Sequence, residues 1–176
     1  MPERPGDNHL VLEVPSLTAN AALCRVAVAV FAAALPFTLA EIEQLKVAVS
    51  EAVGNCCLHA YPHGPGRMVV RASCAAGGVV EVEVEDWGVG IPDVERARQP
   101  AFTTSKDPDH VGLGFSFMEQ FTDAVEVVSA VGRGTLIRLR KRPAGEGGDG
   151  RGVEPGAEGG DSPRPGVAGP RSAAPR

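Results

Sequence analysis

The sequence lacks three features that would each have pointed to a particular class of protein. No stretch is long and apolar enough to span a bilayer, because the most apolar one, Ala21 to Leu35, is short and contains Arg25. The N-terminus before it is acidic rather than basic, so a signal peptide is not expected either. Lysine and arginine form no concentrated patch for nucleic acid. We therefore expect a cytoplasmic protein that binds neither a membrane nor nucleic acid directly.

A disulfide framework is also absent. The four cysteines form no C-x-x-C pair, and a chain of 176 residues can build a hydrophobic core without covalent cross-links. We expect reduced cysteines that serve as small core residues. They are Cys24, Cys56, Cys57 and Cys74.

The composition divides the chain into one domain and a tail. Residues 143–176 are mainly Gly, Pro, Ala, Ser and scattered charges, with Val153 and Val167 as their only larger aliphatic residues. Such a segment cannot bury enough apolar surface to offset the entropy lost on ordering. We predict a folded domain over residues 1–142 and a disordered Gly/Pro-rich tail over residues 143–176.

The first part of the domain predicts a strand and two helices. Residues 9–14 are typical of a short strand, and Ser16 or Thr18 is expected to cap the helix that follows. Thr38 and Glu41 form a capping box that begins the second helix. The apolar residues at core spacing in that helix are Ile42, Leu45, Val49, Val53 and Cys56.

Two polar residues of the second helix draw attention. Glu51 and Asn55 are four positions apart, so they project from one face of the helix about one turn from each other. A carboxylate and a carboxamide placed in this way could serve a metal-bound phosphate. The same spacing is typical of a solvated helix face, and only the rest of the sequence decides between the two interpretations.

A hairpin around Gly77 and Gly78 follows, and its second strand ends in an unexpected residue. The valines of this strand share one face and the glutamates the other, and Asp86 falls on the valine face. A carboxylate is costly to bury unless donors reach it. Because Gly88 and Gly90 follow, the pattern indicates a buried acceptor beside backbone that a flat ligand can approach. The alternative is an aspartate that merely begins a turn.

The end of the domain predicts a lid and an anion site. Residues 91–110 are polar, interrupted by prolines and without clear periodicity, which favours a functional lid. Gly112 and Gly114 then lead into a short helix, whose N-terminal N–H groups and positive dipole end suit an anion. Strands over residues 124–130 and 135–140 complete the predicted domain.

In this order the motifs resemble the ATP-binding domain shared by DNA gyrase and histidine kinases. A closer resemblance, over roughly residues 10–141, is to the small serine kinases of the sporulation anti-sigma family. The most specific stretch is Ala97-Arg-Gln-Pro-Ala-Phe-Thr-Thr104. The implied fold is an α/β (α+β) two-layer sandwich, with a mostly antiparallel sheet covered by helices on one face and a flexible ATP lid.

The resemblance implies a role for each motif in binding ATP or ADP. Asn55 would supply the protein oxygen to Mg²⁺, and Glu51 would be the general base. Asp86 would accept a hydrogen bond from the adenine amino group. The other implied nucleotide-binding residues belong to the glycine motifs, the lid and the last strand: Gly88, Gly90, Thr103, Thr104, Lys106, Gly112, Gly114 and Thr135.

The resemblance also implies partners. It suggests a kinase homodimer that holds a sigma factor of the sigma F type inactive and phosphorylates a serine of an anti-anti-sigma protein. Arg25 matches an arginine that contacts both partners in that family. Where the family carries an arginine before the second glycine pair, this sequence has His110 and Val111. Protonated His110 would be a weaker and pH-dependent substitute for that arginine at the γ-phosphate.

Two alternatives to this function stay open. One is a non-catalytic module that sequesters a sigma factor and uses the nucleotide only as a structural ligand. The other is a stress-response or switch kinase of the same family, which differs in its partners rather than in its chemistry.

Overall fold

The computed structural model describes residues 8–100 and 112–144, which form one sheet and a layer of helices. The strands are β1 His9–Pro15, β2 Arg67–Cys74, β3 Val80–Asp86, β4 Ala124–Ala130 and β5 Gly134–Lys141. They form a five-stranded sheet in the order β1-β2-β3-β5-β4, and every neighbouring pair is antiparallel. The predicted tail lies outside the described residues except for Pro143 and Ala144, so its disorder stays a prediction.

The helices pack on one face of this sheet. They are α1 Thr18–Ala33, α2 Leu39–Asn55, α3 Val94–Ala97 and α4 Gly114–Phe121. α2 lies between α1 and α4 and is extended by one π-helical turn, Cys56–Ala60. The predicted two-layer α/β sandwich with an antiparallel sheet is therefore confirmed. No helix in the described part of the chain is long and apolar enough to cross a membrane.

The hydrophobic core lies between the helices and one face of the sheet, with α2 and the valine face of β3 at its centre. The parity predicted for β3 is observed, since its three even-numbered valines are buried and its glutamates lie on the other face. All five core residues predicted for α2 are buried as well. Burial of this kind contributes about 1.5–3 kcal/mol for each large aliphatic side chain, so core packing is what holds α2 against the sheet.

The cysteines are part of this core. Cys24, Cys56 and Cys74 are buried, Cys57 is half-buried, and all four are free thiols. Burial raises the pKa of the Cys24 and Cys56 thiols, which keeps both protonated at neutral pH. The prediction of small core residues is confirmed for the three buried cysteines.

The start of α1 differs from the prediction. Neither Ser16 nor Thr18 caps the helix: the N-cap position is Leu17, without a side-chain hydrogen bond. Ser16 is buried, and its hydroxyl accepts a hydrogen bond of 3.0 Å from the backbone N–H of Gly66. The hydroxyl therefore joins the end of β1 to the start of β2 instead of serving α1.

The start of α2 agrees with the prediction and has an additional contact. Thr38 Oγ1 accepts from the backbone N–H of Glu41, and Glu41 Oε2 accepts from the backbone N–H of Thr38, so the capping box is complete. The other carboxylate oxygen of Glu41 accepts from the N–H of Ala144 at 2.6 Å. One side chain thus caps α2 and holds the chain beyond β5.

A buried lysine also ties β5 to the helices. The ammonium group of Lys141 donates to Gln44 Oε1 on α2 at 2.9 Å and to the carbonyl of Phe121 at the end of α4 at 2.8 Å. A buried charge is costly unless such acceptors satisfy it. Lys141 therefore fixes the spacing of α2 and α4 at the end of the sheet.

Gly132 in the β4–β5 turn and Gly134 at the start of β5 provide a matched test of packing. Both have positive φ, 74° at Gly132 and 95° at Gly134, but a Cβ at Gly134 would lie 2.0 Å from the carbonyl oxygen of Asp86, whereas one at Gly132 meets nothing within 4 Å. We expect Gly132→Ala to cost about 1–2 kcal/mol and Gly134→Ala at least about 3 kcal/mol in urea unfolding. Equal losses would mean that backbone conformation alone sets the cost.

Candidate functional site

A cleft of about 940 Å³ opens between the end of α2, the loop after β3 and the start of α4. This volume is typical of sites for small molecules. The cleft is lined by seven of the residues that the sequence analysis predicted for the site: Glu51, Asn55, Asp86, Gly90, Gly112, Gly114 and Thr135. Motifs separated by more than 80 positions in the sequence therefore share one cavity.

One side of the cleft is formed by α2 and the first turn of α4. A Cβ on Gly114 would lie 3.0 Å from Glu51 Oε2 and 3.6 Å from Asn55 Oδ1. The first turn of α4 therefore begins close to these two polar groups. Gly112, with a φ of 68°, makes the turn that leads into the helix. The first turn of a helix has N–H groups without intrahelical acceptors, so this side of the cleft suits an anion.

Another part of the cleft is formed by Asp86 at the end of β3. The residue is only 7% exposed, as its position on the valine face predicts. Its Oδ1 accepts a hydrogen bond of 2.9 Å from the N–H of Gly88, and the backbone of Thr135, its partner on β5, also lowers the pKa of the carboxyl group. Burial nevertheless raises the pKa of Asp86 above its ordinary value, because desolvation outweighs the effect of these two backbone groups. A further donor from a ligand would stabilise the carboxylate.

The two glycines after Asp86 have a packing role that the sequence did not reveal. A Cβ on Gly88 would lie 2.1 Å from the carbonyl oxygen of Ala60, and one on Gly90 would lie 2.2 Å from that of Ala130. These glycines let the loop after β3 pass between the π-helical turn and the end of β4. Gly90 also lines the cleft and Gly88 does not, so their contact with a flat ligand stays a prediction.

Sequence reasoning missed the residue that fixes this loop. The hydroxyl of Ser129 on β4 accepts a hydrogen bond of 2.8 Å from the N–H of Ile91, and it lies 2.9 Å from Thr135 Oγ1. Ser129 faces Thr135 across the β4–β5 pair. The sequence did contain a signal for this contact. The short turn between the two predicted strands sets their register and so places the hydroxyl groups of Ser129 and Thr135 opposite each other.

The predicted lid begins with a helix that was not expected. α3 lies within residues 91–110, and Asp93 caps it by accepting from the N–H of Arg96 at 2.9 Å. Arg96 lines the cleft, and so does His59 from the π-helical turn. Neither had been predicted as a site residue. The aspartate directly before the helix is the sequence signal for the cap, but nothing local indicates which way Arg96 points.

Some predicted residues are not brought to the cleft by the described structure. Arg25 is exposed on α1, and no residue of α1 lines the cavity. The lid residues predicted to bind phosphate lie outside the described residues: Thr103, Thr104, Lys106 and His110. Within residues 8–100 and 112–144 no cluster of three or more His, Cys, Asp or Glu side chains could hold a metal ion.

This fold and cleft define a histidine kinase-like ATPase domain. The sequence profile of that domain matches residues 14–141 of the chain. A solved structure with RsbU and RsbW domains from Mycobacterium tuberculosis shares the fold with a TM-score of 0.55 and 20% sequence identity. That match covers 77% of this chain and 32% of the other. The chain thus belongs to the histidine kinase-like ATPase domain family.

Sequence comparison narrows this class. Anti-sigma F factors are 42% identical in Geobacillus kaustophilus and 44% identical in Heyndrickxia coagulans, and each match covers 78% of this chain and 94% of the relative. The anti-sigma F factor of Caldanaerobacter subterraneus is 44% identical, with coverages of 77% and 94%. The chain belongs to the anti-sigma F factor family, which confirms the predicted resemblance.

Proposed function

We propose that the chain is a cytoplasmic anti-sigma factor that binds and inhibits a sporulation sigma factor of the sigma F type. In this proposal it also uses Mg-ATP to phosphorylate a serine on its anti-anti-sigma antagonist. The approach of Gly114 to the carboxylate of Glu51 is the observation that carries the kinase activity. The likeness to anti-sigma F factors supports the choice of partners.

The nucleotide is proposed to lie along the cleft with its adenine at Asp86. The buried carboxylate accepts a hydrogen bond from the adenine amino group, and Thr135 lies beside it on β5. The phosphates then extend toward Asn55 and the start of α4, where free N–H groups and the positive end of the helix dipole favour negative charge. Further phosphate contacts are assigned to Thr103, Thr104, Lys106, His110 and the backbone of Gly112 and Gly114.

The cleft fits a magnesium ion that arrives with the nucleotide. Mg²⁺ commonly takes one or two protein oxygens and completes its shell with water and substrate phosphates. Asn55 offers one such oxygen beside the start of α4. The bound ion would neutralise charge on the phosphates. In this proposal Asn55 contributes to nucleotide binding, whereas Glu51 does not.

Glu51 is proposed to activate the acceptor serine. The serine oxygen forms a bond to the γ-phosphorus as the bond from that phosphorus to the ADP oxygen breaks, and the serine proton passes to the Glu51 carboxylate. Most of the acceleration comes from positioning and charge neutralisation, and the close contact of α2 with α4 provides the positioning.

Arg25 is proposed to contact both protein partners, with the chain acting as a homodimer. It is exposed on α1 among exposed apolar side chains, such as Leu23 and Val26, each 51% accessible. Arginine beside apolar surface is a frequent centre of binding energy. We expect Arg25→Ala to weaken capture of the sigma factor at least about thirtyfold, corresponding to about 2 kcal/mol, with unchanged ATP affinity. Unchanged capture in a pull-down would contradict this role.

A direct test incubates the full chain with Mg-ATP, the anti-anti-sigma protein and the sigma factor of its own organism. Phosphoserine on the anti-anti-sigma protein, detected by mass spectrometry, supports the kinase proposal. Sigma-factor binding without phosphoserine would instead identify a non-catalytic sequestering module. Phosphorylation without binding to a sporulation sigma factor would indicate a stress-response or switch kinase.

A further inference from the structure

Negative charge prevails among the described residues that line the cleft. Three carboxylates line it, those of Glu51, Asp86 and Asp93, and Arg96 is the only lysine or arginine in the described lining. A nucleoside di- or triphosphate adds several negative charges to this cavity. A cation at the wall lowers the free energy of bringing these charges together, and it does so most strongly when it can touch the phosphate oxygens.

The backbone that carries Arg96 is fixed on two sides. Arg98, two residues after Arg96, donates two hydrogen bonds, of 2.6 and 2.9 Å, to Glu119 Oε1 on α4. The side chain of Ala97 packs against the hydrophobic core, and Asp93 caps α3 through the N–H of Arg96. α3 is therefore held to the same helix whose first turn borders the cleft, and the position of Arg96 follows from the fold.

We propose that Arg96 binds the phosphate groups of the nucleotide from the α3 side of the cleft. The guanidinium group presents paired N–H donors that match phosphate oxygens, and its charge does not depend on pH. This inference rests on the proposed function, because it requires an adenine nucleotide in the cleft. It adds a binding residue on α3 to those proposed on α2 and at the start of α4.

Calorimetric titration with adenosine, AMP, ADP and ATP tests this role. For Arg96→Ala we expect about tenfold weaker binding of ADP and ATP, equivalent to one charge-assisted contact, and unchanged binding of adenosine. Arg96→Lys should recover part of the loss, because it keeps the charge but not the planar pair of donors. The affinity of Arg96→Ala for ATP should also depend less on salt than that of the wild type.

A matched control removes the same charge elsewhere. Arg140 pairs with Glu81 on the open face of the sheet, and Arg140→Ala should leave all four affinities unchanged.

Two results for Arg96→Ala would contradict the proposal. An equal loss of affinity for adenosine and ATP would make the residue structural, and an unchanged affinity for ATP would remove it from the site. An equal loss of ATP affinity in Arg140→Ala would mean that the effect comes from the net charge of the protein and not from a contact with phosphate. A wild-type chain that binds none of the four ligands would overturn the proposed function together with this inference.

Discussion

Glu51→Gln is expected to slow phosphoryl transfer to serine about a thousandfold, within the range of effects for a general base. The amide keeps the size of the carboxylate and its place on α2, but it cannot accept the serine proton. ATP affinity should change less than about threefold, because phosphate binding is assigned to Asn55 and the start of α4. Single-turnover transfer of labelled phosphate measures the first quantity, and equilibrium titration measures the second.

The control for this prediction lies on the same helix. Glu43 on α2 is exposed and pairs with Lys46, away from the cleft. Glu43→Gln makes the same chemical change and should retain the wild-type transfer rate. If Glu51→Gln weakened ATP binding as strongly as it slowed transfer, Glu51 would have a role in holding the nucleotide rather than in accepting the proton.

Asp86→Asn is expected to weaken adenine-nucleotide binding about a hundredfold, which corresponds to about 2.7 kcal/mol. The asparagine oxygen can still accept from Gly88, but its amide group presents donors where the adenine amino group also donates. Adenosine should lose affinity by the same factor as ATP, because the contact is with the base. An unchanged affinity for adenosine would remove Asp86 from adenine recognition.

The same variant has a predictable effect on stability. Because burial raises the pKa of Asp86, the folded state holds a proton at pH values where the unfolded chain has lost it. The contribution of Asp86 to the free energy of unfolding is therefore full below the ordinary aspartate pKa and declines as pH rises through the raised value. Asp86→Asn lacks this decline, so without nucleotide it should be at least as stable as wild type at neutral pH.

Urea unfolding from pH 3 to pH 8 checks the sign. Asp123→Asn is a suitable control, because Asp123 is exposed and accepts from the N–H of Arg142 away from the cleft. A lower stability of Asp86→Asn at neutral pH, compared with this control, would mean that the carboxylate stabilises the empty fold. In that case its fall in nucleotide affinity could reflect a damaged cleft.

The elements that the sequence predicted well depend on local patterns. The alternation in β3 sorts its side chains between two faces, and the capping box at Thr38 and Glu41 sets the start of α2. Both signals lie within a few residues, so no knowledge of the tertiary fold is needed. The position of Asp86 could be predicted for the same reason, since only one residue departs from the pattern.

The features that the sequence did not predict depend on distant partners. The hydroxyl of Ser16 accepts a hydrogen bond from the N–H of Gly66, 50 positions away. It therefore does not cap α1, although serine favours that role. Gly88 and Gly90 are required by carbonyl groups of Ala60 and Ala130, which no local motif identifies. Arg96 reaches the cleft on α3, which Arg98 anchors on α4 through Glu119, 21 positions away in the sequence. Tertiary contacts of this kind override local preference.

The double use of Glu41 has a consequence for where the working unit of this chain ends. Its carboxylate holds the N–H of Ala144 and the first turn of α2 at once, so residues beyond β5 help to position the helix that carries Glu51 and Asn55. A fragment cut at residue 142 would keep every strand and helix but lose this hydrogen bond. We therefore expect a fragment that retains Ala144 to hold α2 more firmly than one cut at residue 142, while the domain boundary itself stays a prediction.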